Sequence, residues 1–250
     1  MAVMFDLSIL TVVAAIFVLA GMVKGIAGLG MPTVSLALLT VTLDMQTGMA
    51  LLLVPTIVTN LWQACAGGQT RLVLRQIWSF LLLACLTVWL GVHTLTLVDP
   101  AYLAGLLGGL LVIYSSLNLA GFRLSLSPTQ ARWGGPVTGV VNGVITGMTG
   151  SCVVPGVVYL QAIGLPRDAL IQAMGMLFTS STLALALALQ SNDLLTTDQT
   201  LLSTLALLPA VVGMWIGGRI RQQLSEAMFK RVFFIALLLL GLYILSTTLL

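Results

Sequence analysis

Apolar residues run along the chain in long unbroken stretches, at about 7–25, 45–65, 77–97, 101–121, 134–150, 168–190, 200–218 and 230–249. A helix crossing the hydrocarbon core of a bilayer needs roughly 20 such residues, so each of these stretches predicts a membrane-spanning α-helix. Two shorter stretches, 32–43 and 153–165, would be under about 20 Å long as helices, too short to span alone. Both begin at or just before a proline, Pro32 and Pro155, and both follow a glycine-rich break, Gly25 to Gly30 and Gly143 to Gly150. Proline suits a first helical turn, where its missing N–H would have no partner anyway. The two short stretches therefore predict half-helices that start inside the membrane. Composition excludes a soluble domain: 59% of the residues are hydrophobic and 7% charged, against about 25% charged in soluble proteins. The expected fold class is an all-α polytopic membrane protein, a single domain over 1–250, with eight long helices and two discontinuous ones. No basic stretch or clear small-residue cleavage site marks the N-terminal run, which predicts a first span rather than a cleaved signal.

Charge decides whether the half-helices complete crossings, because Lys and Arg in short loops gather on the cytoplasmic side. If they do not cross, Arg71, Arg75, Arg123 and Arg132 face one side while Arg167, Arg219, Arg221, Lys230 and Arg231 face the other. If each break and its half-helix make one crossing, all of these basic residues share one side. Asp6, Asp44, Asp99, Asp193 and Asp198 then share the opposite side. The reach suffices, with about six extended residues at ~3.3 Å each followed by about 11 helical ones. Ten crossings with both termini outside are expected. The small excess of basic over acidic residues is what insertion requires and does not indicate a nucleic-acid partner.

The breaks belong to a wider self-similarity. Gly21 to Gly25 matches Gly139 to Gly143 at an offset of 118, and after a short insertion the offset becomes 123, pairing Pro32 with Pro155, Asp44 with Arg167 and Ala50 with Ala173. Two halves, about 1–122 and 123–250, are implied. With five crossings in each, the second half enters from the opposite face. This is the inverted-repeat plan common among secondary transporters, whose substrates bind near the midplane where discontinuous helices meet.

In these features the chain resembles the TauE/SafE-type sulfite exporters, also called the 4-toluene sulfonate uptake permease family. The resemblance rests on the glycine-rich first segment of each half (Gly21 to Pro32 and Gly139 to Pro155), on the turns Leu43 to Gln46 and Gly164 to Asp168, and on the stretch Ala50 to Asn60. It implies a permease or exporter in the bacterial inner membrane, both termini then being periplasmic. The implied substrate is a small anion such as sulfite, an organosulfonate or another organic anion. In the second copy Phe178 and Leu183 stand opposite Pro55 and Asn60 at the 123 offset, which argues against a symmetric role for that stretch.

An anion needs positive potential where a full buried charge is costly, and a half-helix N-terminus supplies about half a positive charge and free N–H donors. The expected site therefore comprises Gly28, Gly30 and Pro32 at the first break and Gly150 and Pro155 at the second. Hydroxyl and amide donors from Thr33, Ser35, Thr149, Ser151 and Asn142 would assist. Lys24 either serves the substrate or extends to the headgroups. Asn142 either lines a cavity or bonds a neighbouring helix. Thr56, Thr59, Asn60 and Gln63 recur at helical spacing, and Thr179 to Thr182 cluster on the counterpart. Asn60 and Gln63 are the stronger candidates of that set, since Thr and Ser hydroxyls often bond their own helix.

No organic cofactor, metal site or nucleotide motif is expected, so the driving force would be an ion or substrate gradient. The sequence leaves the oligomeric state open. The cysteines Cys65, Cys85 and Cys152 form no metal-ligand spacing. An anion channel is one alternative. Another is an intramembrane hydrolase using Ser151 or Cys152, weakened because His93, the single histidine, lies near a helix end beside Thr94.

Overall fold

The computed structural model of the chain describes residues 6–223 and 225–249. Eleven α-helices and no strand occur among them: α1 Leu7–Ala27, α2 Met31–Thr42, α3 Met45–Leu51, α4 Leu53–Ala66, α5 Thr70–Leu95, α6 Pro100–Leu119, α7 Pro128–Thr149, α8 Val158–Ala162, α9 Arg167–Ser191, α10 Thr197–Ile220 and α11 Glu226–Leu249. A π-helical segment, Val153–Val157, kinked at Val154, leads into α8. Several helices start before their apolar stretches because capping sets their ends. At α7, the Ser127 hydroxyl accepts from the Gln130 N–H, and the Gln130 side chain accepts from the Ser127 N–H. Thr196 and Gln199 repeat this reciprocal pair at α10. Each box satisfies two N–H groups that the helix itself leaves open.

Six helices, α1, α5, α6, α9, α10 and most of α11, are long and apolar enough to cross a membrane, and α3 with α4, bent by 46°, would make a seventh. At 22 residues α7 is of comparable length, but glycines and the polar first turns around Gln130 and Arg132 dilute its apolar character. The expected helix over 32–43 is present as α2. Its counterpart over 153–165 is present as a shorter, kinked apolar helix, Val153–Ala162, whose last five residues are α8. Val154, immediately before the proline, is extended at φ −118°, ψ 123°. The proline ring disfavours helical geometry in the residue before it. The Val154–Pro155 peptide bond is cis.

Two compact units share the chain. Unit 1 comprises Met1–Pro55, Ala104–Ala120 and Leu195–Leu250, and unit 2 comprises Thr56–Leu103 and Gly121–Leu194. Within unit 1, α1 lies along α10 at backbone contact distance. A Cβ on Gly21 or Gly25 would collide with the carbonyl oxygen of Ala210 or Met214, and one on Gly213 or Gly217 with that of Val18 or Met22. Unit 2 repeats the device between α7 and α5: Gly143 and Gly147 face the Ala84 and Val88 carbonyls, and Gly91 faces that of Val144. Lipid tails are as apolar as leucine, so helices associate by such close packing rather than by hydrophobic exclusion.

One spacing of 122 residues relates the two devices: 21 to 143, 25 to 147, 91 to 213, and the helix-ending glycines 28 to 150. It continues to the helix starts, where Asp44 precedes α3 and Pro166 precedes α9. This spacing differs by one helical turn from the offset of 118 that pairs Gly21 with Gly139, and at it Thr146 rather than Asn142 falls opposite Lys24. In unit 1, α11 also packs against α1 and α2, with Phe233 and Val23 crowding Gly30.

Candidate functional site

The first break closes α1 with Gly28 at φ 75°, whose N–H donates to the Lys24 carbonyl at 2.7 Å. Gly30 follows at φ 98° and precedes α2, where Pro32 occupies the first turn. These left-handed backbones are open to glycine and strained for other residues. Thr33 and Ser35 are buried behind the break. Ser35 is already engaged, its hydroxyl donating to the Met31 carbonyl at 2.8 Å. Lys24 is 4% exposed. An extended, headgroup-seeking side chain would be open to its surroundings, so the burial goes against that reading.

The second break, in unit 2, opens in the same way. Gly150 at φ 74° ends α7, its N–H donating to the Thr146 carbonyl at 2.7 Å. The Thr149 hydroxyl donates to the Ile145 carbonyl and accepts from the Ser151 N–H, so it fixes the turn instead of facing a ligand. Ser151 and Cys152 are buried. Only Val154 leaves helical backbone angles within Val153–Val157, so a short helix starts at this break as at the first. Side-chain donors lie beside it.

Asn142 is the most informative of these donors. The residue is fully buried on α7, and its Oδ1 accepts the Gly156 N–H at 2.9 Å across the turn. An N–H can only donate, so this bond fixes which way the amide faces. The Nδ2 group is then left buried with no hydrogen-bond partner. Gly156 is essential to the arrangement, since a Cβ there would sit 2.5 Å from the Asn142 Oδ1 and 3.0 Å from the Leu177 Cδ2 on α9. Three further hydroxyls of unit 2 are also buried and without partners: Thr56 on α4, and Thr179 and Ser181 on α9. Leaving such groups unpaired costs about 1–3 kcal/mol each. Four of the five such side-chain groups among the described residues lie in unit 2.

Two sequence candidates on α4 have different work. Asn60 donates to its own Thr56 carbonyl at 2.9 Å, showing that an amide can be satisfied locally after all. Gln63 donates to the Ile171 carbonyl of α9 at 2.8 Å, a cross-helix tie. His93 is exposed in the last turn of α5, and no group of three metal-ligating side chains occurs among the described residues.

Sequence reasoning missed two residues. Gln172 is fully buried; it donates to the Ala64 carbonyl and the Thr70 hydroxyl and accepts from the Gln69 N–H, clamping the turn from α4 to α5. Ser203 on α10 donates to the Leu51 carbonyl at 2.8 Å and accepts from the Val54 N–H at 3.1 Å. Pro55 has no N–H to give the Leu51 carbonyl its helical bond, and the serine supplies it. That orphaned carbonyl was the available signal for Ser203. The signal for Gln172 was a lone amide inside an apolar span.

Fold and breaks together define a multi-pass helical membrane protein whose unusual chemistry lies in interrupted helices. Residues 13–244 match the family described as Sulfite exporter TauE/SafE. The chain belongs to that family, which consists of membrane transporters and not enzymes. No curated protein and no solved structure matches the chain.

Proposed function

We propose that this protein is a secondary carrier that moves a small sulfur-containing or organic anion, sulfite or an organosulfonate foremost, across the bacterial inner membrane by alternating access. The observation that carries the site is Asn142: its carbonyl oxygen is held by the Gly156 N–H while its Nδ2 group stands buried and unpaired beside a helix break. An oxyanion accepts several hydrogen bonds at once, and the unpaired hydroxyls of Thr56, Thr179 and Ser181 belong to the same unit. Ser151 at the second break is a further donor in this reading, with Gly150 and Pro155 shaping the backbone; Gly28, Gly30, Pro32 and Thr33 form the corresponding break of unit 1. Lys24, buried in unit 1, is the one formally charged side chain among the described buried residues and does not belong to unit 2.

Family membership supports a transporter of sulfur anions; the distribution of charged loops supports ten crossings, inverted halves and periplasmic termini. The terminal residues 1–5 and 250 lie outside the described residues. Flux into proteoliposomes, screened over sulfite, thiosulfate, taurine, sulfoacetate and simple carboxylates, tests the reading. Saturable uptake stimulated by counter-substrate is expected for a carrier and not for a pore. Asn142→Leu should abolish that uptake while the protein stays monodisperse in detergent. Undiminished uptake by this variant would refute the assignment of the site.

A further inference from the structure

Every buried polar side chain described in unit 2 is an amide or a hydroxyl; none is formally charged. The unpaired donors are likewise neutral: the Asn142 Nδ2 group and the hydroxyls of Thr56, Thr179 and Ser181. We infer that this site selects the singly charged form of its substrate, hydrogensulfite or a monosulfonate, and rejects dianions such as sulfite proper and sulfate. The inference rests on the proposed anion site in unit 2 and adds the charge state that it accepts.

The physical reason is a difference in scaling. The cost of taking an ion out of water rises with the square of its charge and is already large for one unit charge. The compensation from a fixed set of neutral dipoles rises only in proportion to the charge. A second negative charge therefore deepens the penalty faster than the same donors can offset it. Arg and Lys supply a full compensating charge where they line an anion site, and the described buried side chains of unit 2 include neither. Its hydroxyls can also accept a hydrogen bond, so an S–OH or O–H proton retained by the monoanion finds an acceptor.

On α5, α7, α8, α9 and the intervening turn, the titratable groups out of solvent are the thiols of Cys85 and Cys152 and the phenol of Tyr159, all uncharged in their ordinary states. Arg71, Arg75, His93, Arg132, Arg167 and Asp168 are exposed.

The test is equilibrium dialysis of labelled methanesulfonate against the full chain in lipid nanodiscs, competed by sulfite and by sulfate over a series of pH values. Methanesulfonate carries one charge throughout and controls for any change in the protein. Its affinity should be flat with pH. Sulfite should compete about tenfold more weakly for each pH unit above the loss of its second proton, as linkage requires when only the protonated form binds. Sulfate should compete at least about 100-fold more weakly than methanesulfonate, a difference of roughly 2.7 kcal/mol. Sulfite competition that ignores pH across that range, or sulfate that competes as well as methanesulfonate, would overturn the inference. So would dianion binding that disappears in Lys24→Met, since the charge would then be met by that ammonium. Methanesulfonate binding undiminished by Asn142→Leu would instead remove the site itself and the inference with it. Loss of binding in that variant together with tight sulfate binding by the wild type would remove the charge selection alone.

Discussion

Thr179 and Ser181 sit buried on α9 with no hydrogen-bond partner, and a hydroxyl in that position is an expense to the folded state. If its purpose were structural, removing it would weaken the protein. If its purpose is to meet a ligand, removing it should do the opposite while empty. Thr179→Val preserves shape and Ser181→Ala deletes one atom, so neither disturbs packing much. Each variant is expected to raise unfolding stability in detergent by about 1 kcal/mol and to weaken methanesulfonate binding several-fold. A fall in thermal stability with unchanged binding would assign both hydroxyls to the scaffold. Ser35 and Thr149 offer the contrast, because their hydroxyl protons already meet the Met31 and Ile145 carbonyls. Ser35→Ala and Thr149→Val should therefore change binding less than the α9 pair. Residue type was legible here and residue state was not: a run such as Thr179 to Thr182 announces hydroxyls. Which of them bonds its own helix depends on rotamers that sequence leaves open.

At the scale of elements, the bend between α3 and α4 has a local cause and a distant clamp. Pro55 withholds the N–H that the Leu51 carbonyl would accept, and Ser203 of α10 fills the gap while also accepting from Val54. Ser203→Ala strands both groups and should cost about 2 kcal/mol by thermal unfolding. In a Pro55→Ala background the restored N–H gives the Leu51 carbonyl a partner from its own helix. The serine's contribution should then shrink by about 1 kcal/mol, read as the coupling in a double-mutant cycle. Strict additivity would disconnect the serine from the proline. The second half has Leu177 where the 122 spacing places the counterpart of Pro55, and α9 accordingly runs unbroken through that point. The first half-helix was readable because Gly28, Gly30 and Pro32 dictate backbone directly. The second was readable in place but not in form, since Pro155 announces a break without saying that Val154 extends and that the first turn is wound wider than an α-helix before α8. Two repeat registers compete for a related reason. Gly139, Gly143 and Gly147 all press on α5 at intervals of one turn, and a ladder with that period matches Gly21 and Gly25 equally well at two registers.

Each compact unit takes helices from both halves of the chain: α1 of the first half lies along α10 of the second, and α7 of the second along α5 of the first. Such an exchange is economical if the halves are related by inversion, because each half then lacks the partner that the other provides. The orientation itself hangs on whether α2 and the segment through α8 complete their crossings, and this can be decided from two positions. Thr42, at the end of α2, and Asp168, in the first turn of α9, are both exposed. If both short segments cross, the two positions face opposite compartments; if neither does, an even number of spans separates them and they face the same one. Cysteines placed singly at Thr42 and Asp168, with Cys65, Cys85 and Cys152 replaced, can be probed in intact cells by a membrane-impermeant maleimide. The outside should be Thr42, which reacts before lysis, while position 168 reacts only after it. Keeping Arg167 intact matters, because removing a basic residue from so short a loop could itself shift the topology. Equal labelling of both positions in intact cells would leave the basic residues divided across the membrane and would undo the inverted arrangement, whatever the anion proves to be.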